Sequence, residues 1–151
     1  MELFRITKAA YQDDLSGIGA YHYGGRWNSP GSAMLYTSTR RSLAMLEILV
    51  HWQKPSPPPD FVVVVLYVPD HVGITESVNL ISAWEQDQQW SREKGDTFLE
   101  EKKTLLLRVP SAVVPNENNM LINPLHPDAE LVKIIDVAPF SFDGRLFNIN
   151  K

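Results

Sequence analysis

Two stretches carry residue types that could do chemistry. The first is Gly24-Gly25-Arg26-Trp27-Asn28-Ser29-Pro30-Gly31. Glycine tolerates positive φ and close backbone approach. Pro30 fixes its own φ and drives Ser29 towards extended geometry. A plain turn needs neither the Arg nor the Trp between those breakers. An Arg on a glycine-rich loop can reach a phosphate or a ribose oxygen with its planar fork of donors. The alternative is a surface hairpin with a solvated Arg26 and with Trp27 covering the core, and on the loop alone that reading is the stronger. The second stretch shifts the balance: Met34-Leu35-Tyr36-Thr37-Ser38 is followed closely by a segment carrying Glu47.

The element that must position Glu47 is a helix over roughly residues 40–53, with Ser38 or Thr39 as its expected cap. At 100° per residue, Leu43, Ala44, Met45, Leu46, Ile48, Leu49, Val50 and Trp52 cover almost every direction. A helix apolar nearly all round is expected to be mostly buried. Arg40, Glu47 and His51 share one narrow polar stripe. That stripe is either the solvent face or the lining of a cleft, with Glu47 an ionisable group in a restricted space. From the helix alone the two readings are equal.

The remaining chain reads as a mixture without regular alternation. Leu3-Phe4-Arg5-Ile6 alternates as a short strand and Ala33 to Thr37 as a second. Tyr11 to Ile18 reads as a loop or one helical turn. Lys54 to Asp60 is a Pro-rich spacer, and Phe61 to Val68 (FVVVVLYV) is expected to be a central strand covered on both faces. Val78 to Gln89 has helical spacing through Leu80, Ile81 and Trp84. Gly95 reads as a break, with Asp96 capping a helix through Lys103. Thr104 to Val109 is a strand, Ser111 to Val114 continues extended, and Pro115 to Pro127 is loop-rich. Late strands are expected over Glu130 to Val137 and Phe140 to Phe142. The sum is a single α+β domain with a mixed, mostly antiparallel sheet and flanking helices.

Composition bounds the function. The 151 residues suit one domain, and 44% hydrophobic with 21% charged residues fits a globular chain with a substantial core. The net charge of −4 argues against a broad phosphate-tracking surface of the nucleic-acid type, though not against one local anion pocket. With no cysteine, disulfides, thiolate metal sites and Cys nucleophiles are excluded. His22, His51, His71 and His126 lie far apart without metal-ligand spacing, so no metal site is expected. His126, between Pro124 and Pro127, reads as a loop-fixing residue. Met1-Glu2-Leu3-Phe4-Arg5 holds no signal-peptide run, and no segment is long enough to span a bilayer; a cytoplasmic protein without membrane contact is expected. The common nucleotide-binding, zincin and hydrolase signatures are absent.

Six segments in order resemble the RES domain family, toxins of bacterial toxin–antitoxin pairs named for an Arg, a Glu and a Ser. They are Phe4-Arg5-Ile6; Gly24-Gly25-Arg26-Trp27-Asn28; Leu35-Tyr36-Thr37-Ser38 with Leu43-Ala44 and Glu47; Leu107-Arg108-Val109-Pro110-Ser111-Ala112-Val113; Glu117 to Pro124 with His126-Pro127; and Phe142-Asp143-Gly144-Arg145-Leu146, where Gly144 replaces a more usual Pro. Each is weak alone, and together they span nearly the whole chain.

The resemblance implies a fold like that of diphtheria-toxin-like ADP-ribosyltransferases and consumption of NAD⁺ as substrate, with phosphate, water or a protein side chain as acceptor. It implies no cofactor. It implies a helix-turn-helix, Xre-type antitoxin that blocks the pocket, and no direct DNA binding. Cleaving the nicotinamide–ribose bond builds oxocarbenium-like charge on the ribose. On this reading Glu47 stabilises that charge, Arg26 holds a ribose hydroxyl or the pyrophosphate, and Tyr36 stacks on nicotinamide. Ser111 offers a hydroxyl to substrate or to Arg26 and Glu47. It is not cast as a nucleophile, because no base is visibly paired with it. Asn119 borders the pocket. Taken singly, Tyr36 reads as core, Ser111 as a turn hydroxyl, and Asn119 with Asn123 as loop-ordering residues. Two other readings stand beside this one: a protein ADP-ribosyltransferase, and a non-catalytic binding module on the same fold.

Overall fold

A computed structural model describes residues 1–76 and 79–147. Seven strands form one mixed sheet: β1 (Glu2–Lys8), β2 (Leu35–Ser38), β3 (Phe61–Tyr67), β4 (Ile74–Glu76), β5 (Leu106–Pro110), β6 (Asn118–Ile122) and β7 (Lys133–Phe140). Their order is β4-β5-β6-β2-β1-β3-β7. Among the described residues only the β4–β5 pair is parallel. Three helices flank the sheet: α1 (Ile18–Tyr23), α2 (Arg41–Leu49) and α3 (Gln88–Glu101). The α+β class with a mostly antiparallel sheet is as the sequence leads one to expect.

One feature of the ladder matters most. β1 pairs with β3 along seven positions and β2 with β6 along four, but β1 and β2 meet only at Phe4↔Ser38. The sheet is therefore two half-sheets joined at one register position, and they part on the Thr7 and Leu35 side of it. α2 packs on one half through Ala44, against Phe4, Ile6, Val63 and Val65. α3 packs on the other through Phe98 and Leu99, against Leu107, Val109 and Leu121. A third cluster, including Leu3, Leu35, Val64, Leu66, Leu106 and Met120, runs across both halves. The valine-rich strand β3 supplies two of these clusters with alternate residues, as a strand covered on both faces must. It is not central as expected but lies second from the sheet's edge, since β7 alone follows it on that side.

Several elements differ from the expected ones. α2 stops at Leu49, and only Leu43 and Ala44 are fully buried, because its apolar residues are shared among sheet, cleft and surface. Neither Ser38 nor Thr39 caps it; Arg40 stands at the N-cap, and both hydroxyls donate to β6 instead. The helix expected over Val78 to Gln89 is only a 3-10 turn, Trp84–Gln86, with Leu80 and Ile81 exposed; Val78 itself lies outside the described residues.

Gly95 does not break α3 but sits inside it. A Cβ there would lie 1.6 Å from the Trp27 carbonyl oxygen, so close backbone approach demands glycine. Asp87, not Asp96, caps the helix, accepting from the Trp90 N–H at 3.0 Å. Ser111 to Val114 bends rather than extends, and Asn118–Ile122, expected in a loop, is the strand that β2 and β5 share. β7 is one strand starting at Lys133, preceded by a 3-10 turn over Pro127–Leu131; Phe142 lies beyond the strand.

Candidate active site

The parting of β1 from β2 opens a cleft of about 280 Å³. β1 lines it with Phe4 to Thr7, β2 with Leu35 to Ser38, α2 with Ala44, Glu47 and Ile48, and β6 with Asn119. Asp14 and the stretch from Gly17 to Ala20 form its rim. Glu47 and Tyr36 therefore face one space, and the polar stripe of α2 is a cleft lining at Glu47.

Glu47 is half-buried and held from the opposite half-sheet. Its Oε1 accepts from Ser111 Oγ at 2.8 Å and from Asn119 Nδ2 at 2.7 Å. Ser38 Oγ donates to Asn119 Oδ1 at 2.7 Å, which turns the amide so that Nδ2 meets the carboxylate. Ser111 Oγ also accepts from the Val113 and Val114 N–H groups, both at 3.0 Å. Its proton and its acceptor capacity are thus all engaged, which suits a positioning role and not a nucleophile. Ser111 does not line the cleft; it acts on Glu47 from behind. Glu47 Oε2 has no hydrogen-bond donor among the described residues, and it is the oxygen available to a ligand.

Tyr36 lines the cleft while its hydroxyl is tied into the glycine-rich loop. Oη donates to Asn28 Oδ1 at 2.7 Å and accepts from the Trp27 N–H at 3.0 Å. Burial pushes this phenol well above its ordinary value, so it stays protonated and donating. Trp27 is buried, packed between Trp84 at 5.6 Å and Trp90 at 6.1 Å between ring centroids.

Arg26 stands apart from these residues. Its guanidinium donates to the Glu85 carbonyl at 2.9 Å and lies 5.8 Å from the Trp84 ring centroid; it is not among the residues lining the cleft. The cation that does line it is Arg5, which in the sequence stands out only as part of a strand. Arg5 donates to the Asp14 carbonyl at 2.9 Å and to the Tyr11 carbonyl at 3.3 Å. Burial lowers its pKa and the Asp14 carboxylate partly restores it. A half-buried Arg between Phe4 and Ile6 on a strand was the available signal, since such a charge needs partners. His126 fixes a loop as expected, its Nδ1 accepting from the Asp128 N–H at 3.0 Å. Asn123 likewise orders its loop, donating to the Leu99 carbonyl and accepting from the Leu125 N–H. No group of three His, Cys, Asp or Glu residues placed to hold a metal occurs among the described residues, and no helix there is long and apolar enough to cross a membrane.

Fold and site define a class: one α+β domain with a split sheet, in which a helix-borne carboxylate, a tyrosine face and an arginine line the opening between the halves. Residues 2–143 match the RES domain model, and the chain belongs to the RES domain family. It is 40% identical to "Prs ADP-ribosylating toxin" of Sphingobium sp., over 89% of this chain and 87% of that one. It is 38% identical to "Toxin Res" of Pseudomonas putida, over 97% of this chain and the full length of that one. A solved structure, the toxin–antitoxin complex MbcT–MbcA of M. tuberculosis, contains a chain with the same fold at a TM-score of 0.74, covering 97% of this chain and 86% of that chain at 17% identity.

Proposed function

We propose that this chain is the toxin of a bacterial toxin–antitoxin pair and that it cleaves the nicotinamide–ribose bond of NAD⁺ in the cytoplasm, as a glycohydrolase or phosphorylase. The observation that carries the reading is the Glu47 carboxylate, fixed through Oε1 by Ser111 and Asn119 and lining, with Oε2 free of donors among the described residues, a cleft that Tyr36 and Arg5 share. At about 280 Å³ the cleft is at the small end of ligand sites, roughly 300–1,000 Å³. That suits the nicotinamide riboside half, with the rest of the dinucleotide over the rim.

In this reading the nicotinamide nitrogen leaves with the bonding electron pair. The ribose carbon gains positive charge, and Glu47 stabilises it electrostatically from a fixed position. Tyr36 holds the flat cationic ring before departure. Arg5 faces the ribose or its phosphate. Arg26 takes the pyrophosphate by exchanging the Glu85 carbonyl for a phosphate oxygen. Phosphate or water then adds to the ribose carbon and loses a proton. The relatives named as toxins, and the neighbour solved with an antitoxin, support a protein partner. That partner is proposed to be a helix-turn-helix, Xre-type antitoxin that covers the cleft, with no DNA contact by this chain.

A second reading has its own support. The relative named "Prs ADP-ribosylating toxin" favours a protein side chain as the acceptor. One experiment separates them. Purified chain is incubated with NAD⁺ labelled on the adenosine side, with and without inorganic phosphate and with a cell extract, beside Glu47→Gln. Nicotinamide release that is lost in the mutant supports NAD⁺ cleavage, and dependence on phosphate identifies a phosphorylase. Label on protein points to ADP-ribosylation. A folded, antitoxin-free chain that releases no nicotinamide under any condition contradicts both.

A further inference from the structure

We propose that α3 is a clamp that sets the pose of Tyr36, with Asp96 and Ser91 as positioning residues; what the ring meets in the cleft rests on the NAD⁺ reading above.

Ser91, Arg92, Gly95 and Asp96 lie on one stripe of α3, at the spacing that places side chains on a single face. Every one of them engages the loop from Gly25 to Ser29. Ser91 Oγ donates to the Arg26 carbonyl at 2.5 Å. Arg92 Nε donates to the Gly25 carbonyl at 2.8 Å. The missing side chain of Gly95 admits the Trp27 carbonyl. The two carboxylate oxygens of Asp96 accept from the Ser29 N–H at 2.9 Å and from Ser29 Oγ at 2.6 Å.

The loop passes this constraint to one hydroxyl. Trp27 N–H and Asn28 Oδ1 are the two partners of Tyr36 Oη. Asn28 is fully buried, and its Nδ2 donates to the Ala20 and Ser32 carbonyls at 2.9 Å each. A Cβ on Gly25 would come within 2.5 Å of Tyr36 Oη, so the loop also closes over the hydroxyl sterically. Packing of Trp27 between two tryptophans would hold the loop in place without any of these polar groups. The hydrogen bonds add direction, and a satisfied buried network specifies one arrangement where apolar packing tolerates several. That arrangement ends on Tyr36, the one side chain of the network, among the described residues, that belongs to the cleft lining.

The test is a cycle between Asp96 and Tyr36. Asp96→Ala is expected to raise KM for NAD⁺ about tenfold, within the usual coupling range for connected residues. It is expected to leave kcat within about twofold and the unfolding temperature within a few degrees. Asp96→Asn, which keeps an acceptor for the Ser29 N–H, restores KM. In Tyr36→Phe, which has no hydroxyl to position, Asp96→Ala adds less than about twofold. A second readout needs no substrate. The chain has five tyrosines, and with 3-fluorotyrosine in all of them the Tyr36 resonance is identified by its loss in Tyr36→Phe. Asp96→Ala is expected to shift that resonance. An unmoved resonance, or a KM effect that multiplies in full on Tyr36→Phe, overturns the clamp. If the wild type releases no nicotinamide, the NAD⁺ reading fails alone and the fluorine signal still decides the clamp.

Discussion

The two walls of the cleft are held in different ways. The Glu47 wall is fastened by three side chains, Ser111, Asn119 and Ser38, anchored on or beside β5, β6 and β2. Its geometry is that of the sheet ladder, and few groups are involved. The Tyr36 wall is fastened by a loop, and the loop by a helix, through buried polar contacts and a glycine that cannot be replaced. A fixed carboxylate can be supplied largely by regular structure, because two donors, Asn119 on β6 and Ser111 just past the end of β5, define its position. An aromatic face that must meet a flat ring needs its plane set as well, and here a loop with one buried hydroxyl anchor does so.

Loss of the carboxylate from the first wall acts on the chemistry, whereas the second wall acts on binding through its hydrogen bonds and on stability through the close fit at Gly95. Glu47→Gln should lower nicotinamide release by roughly 10²–10³-fold, the usual cost of a lost electrostatic stabiliser, with an unchanged unfolding temperature by calorimetry. A large drop in stability with this variant would break the comparison. Gly95→Ala should do the reverse. The added methyl must displace the Trp27 carbonyl, an overpacking cost of roughly 3 kcal/mol. For a chain of this size that lowers the unfolding midpoint by about 6–12 °C, and thermal melts would show it.

Ser111→Ala and Asn119→Ala sharpen the first wall. Both free Glu47 Oε1 of one donor, and each should reduce release about tenfold, the loss of one charge-assisted hydrogen bond. Ser111→Ala should also cost about 1–3 kcal/mol in chemical denaturation, because the Val113 and Val114 N–H groups lose their acceptor. Asn119→Ala should cost less, since it leaves Ser38 Oγ as its single newly unpaired partner.

The smallest effect lies at the rim. The Ser16 hydroxyl and amide hold the Asp14 carboxyl below the ordinary value near ~3.9. A depressed carboxyl pKa gives stability that is complete above the unfolded value and is lost as pH falls through the folded one. Asp14→Asn should therefore lower the unfolding temperature slightly at neutral pH, and the difference from the wild type should vanish as pH falls below about 4; the carboxylate's contact with solvent keeps the effect small.

The parts of this arrangement visible in the sequence are those governed by local pattern. The alternation at Leu3 to Ile6 is in β1, the valine run forms a strand covered on both faces, and Glu47 is carried by a helix, although the helix alone left open whether it faced solvent or a cleft. What escaped depended on contacts distant in sequence. Gly95 looks like a helix breaker until the Trp27 carbonyl is seen against it. Met120 to Ile122 looks like a brief apolar interruption in an Asn- and Pro-rich loop, yet two neighbouring strands recruit it into the sheet. Ser38 and Thr39 look like caps, but β6 offers their hydroxyls closer partners. Arg5 and Arg26 are the instructive pair. Residue type marks both as anion binders, but only the single register position joining β1 to β2 decides that the cleft opens beside Arg5. The glycine-rich loop carries Arg26 to the 3-10 turn at Glu85.

On the NAD⁺ proposal, Glu47 and Tyr36 together receive the nicotinamide riboside end of the dinucleotide. The most direct measurement is a crystal structure of Glu47→Gln, the variant expected to bind without turnover, grown with NAD⁺. The account predicts the nicotinamide ring stacked on Tyr36 and a ribose hydroxyl within hydrogen-bond distance of the residue 47 side chain. A dinucleotide bound elsewhere, or lying in the cleft with its adenine against Tyr36, would contradict it.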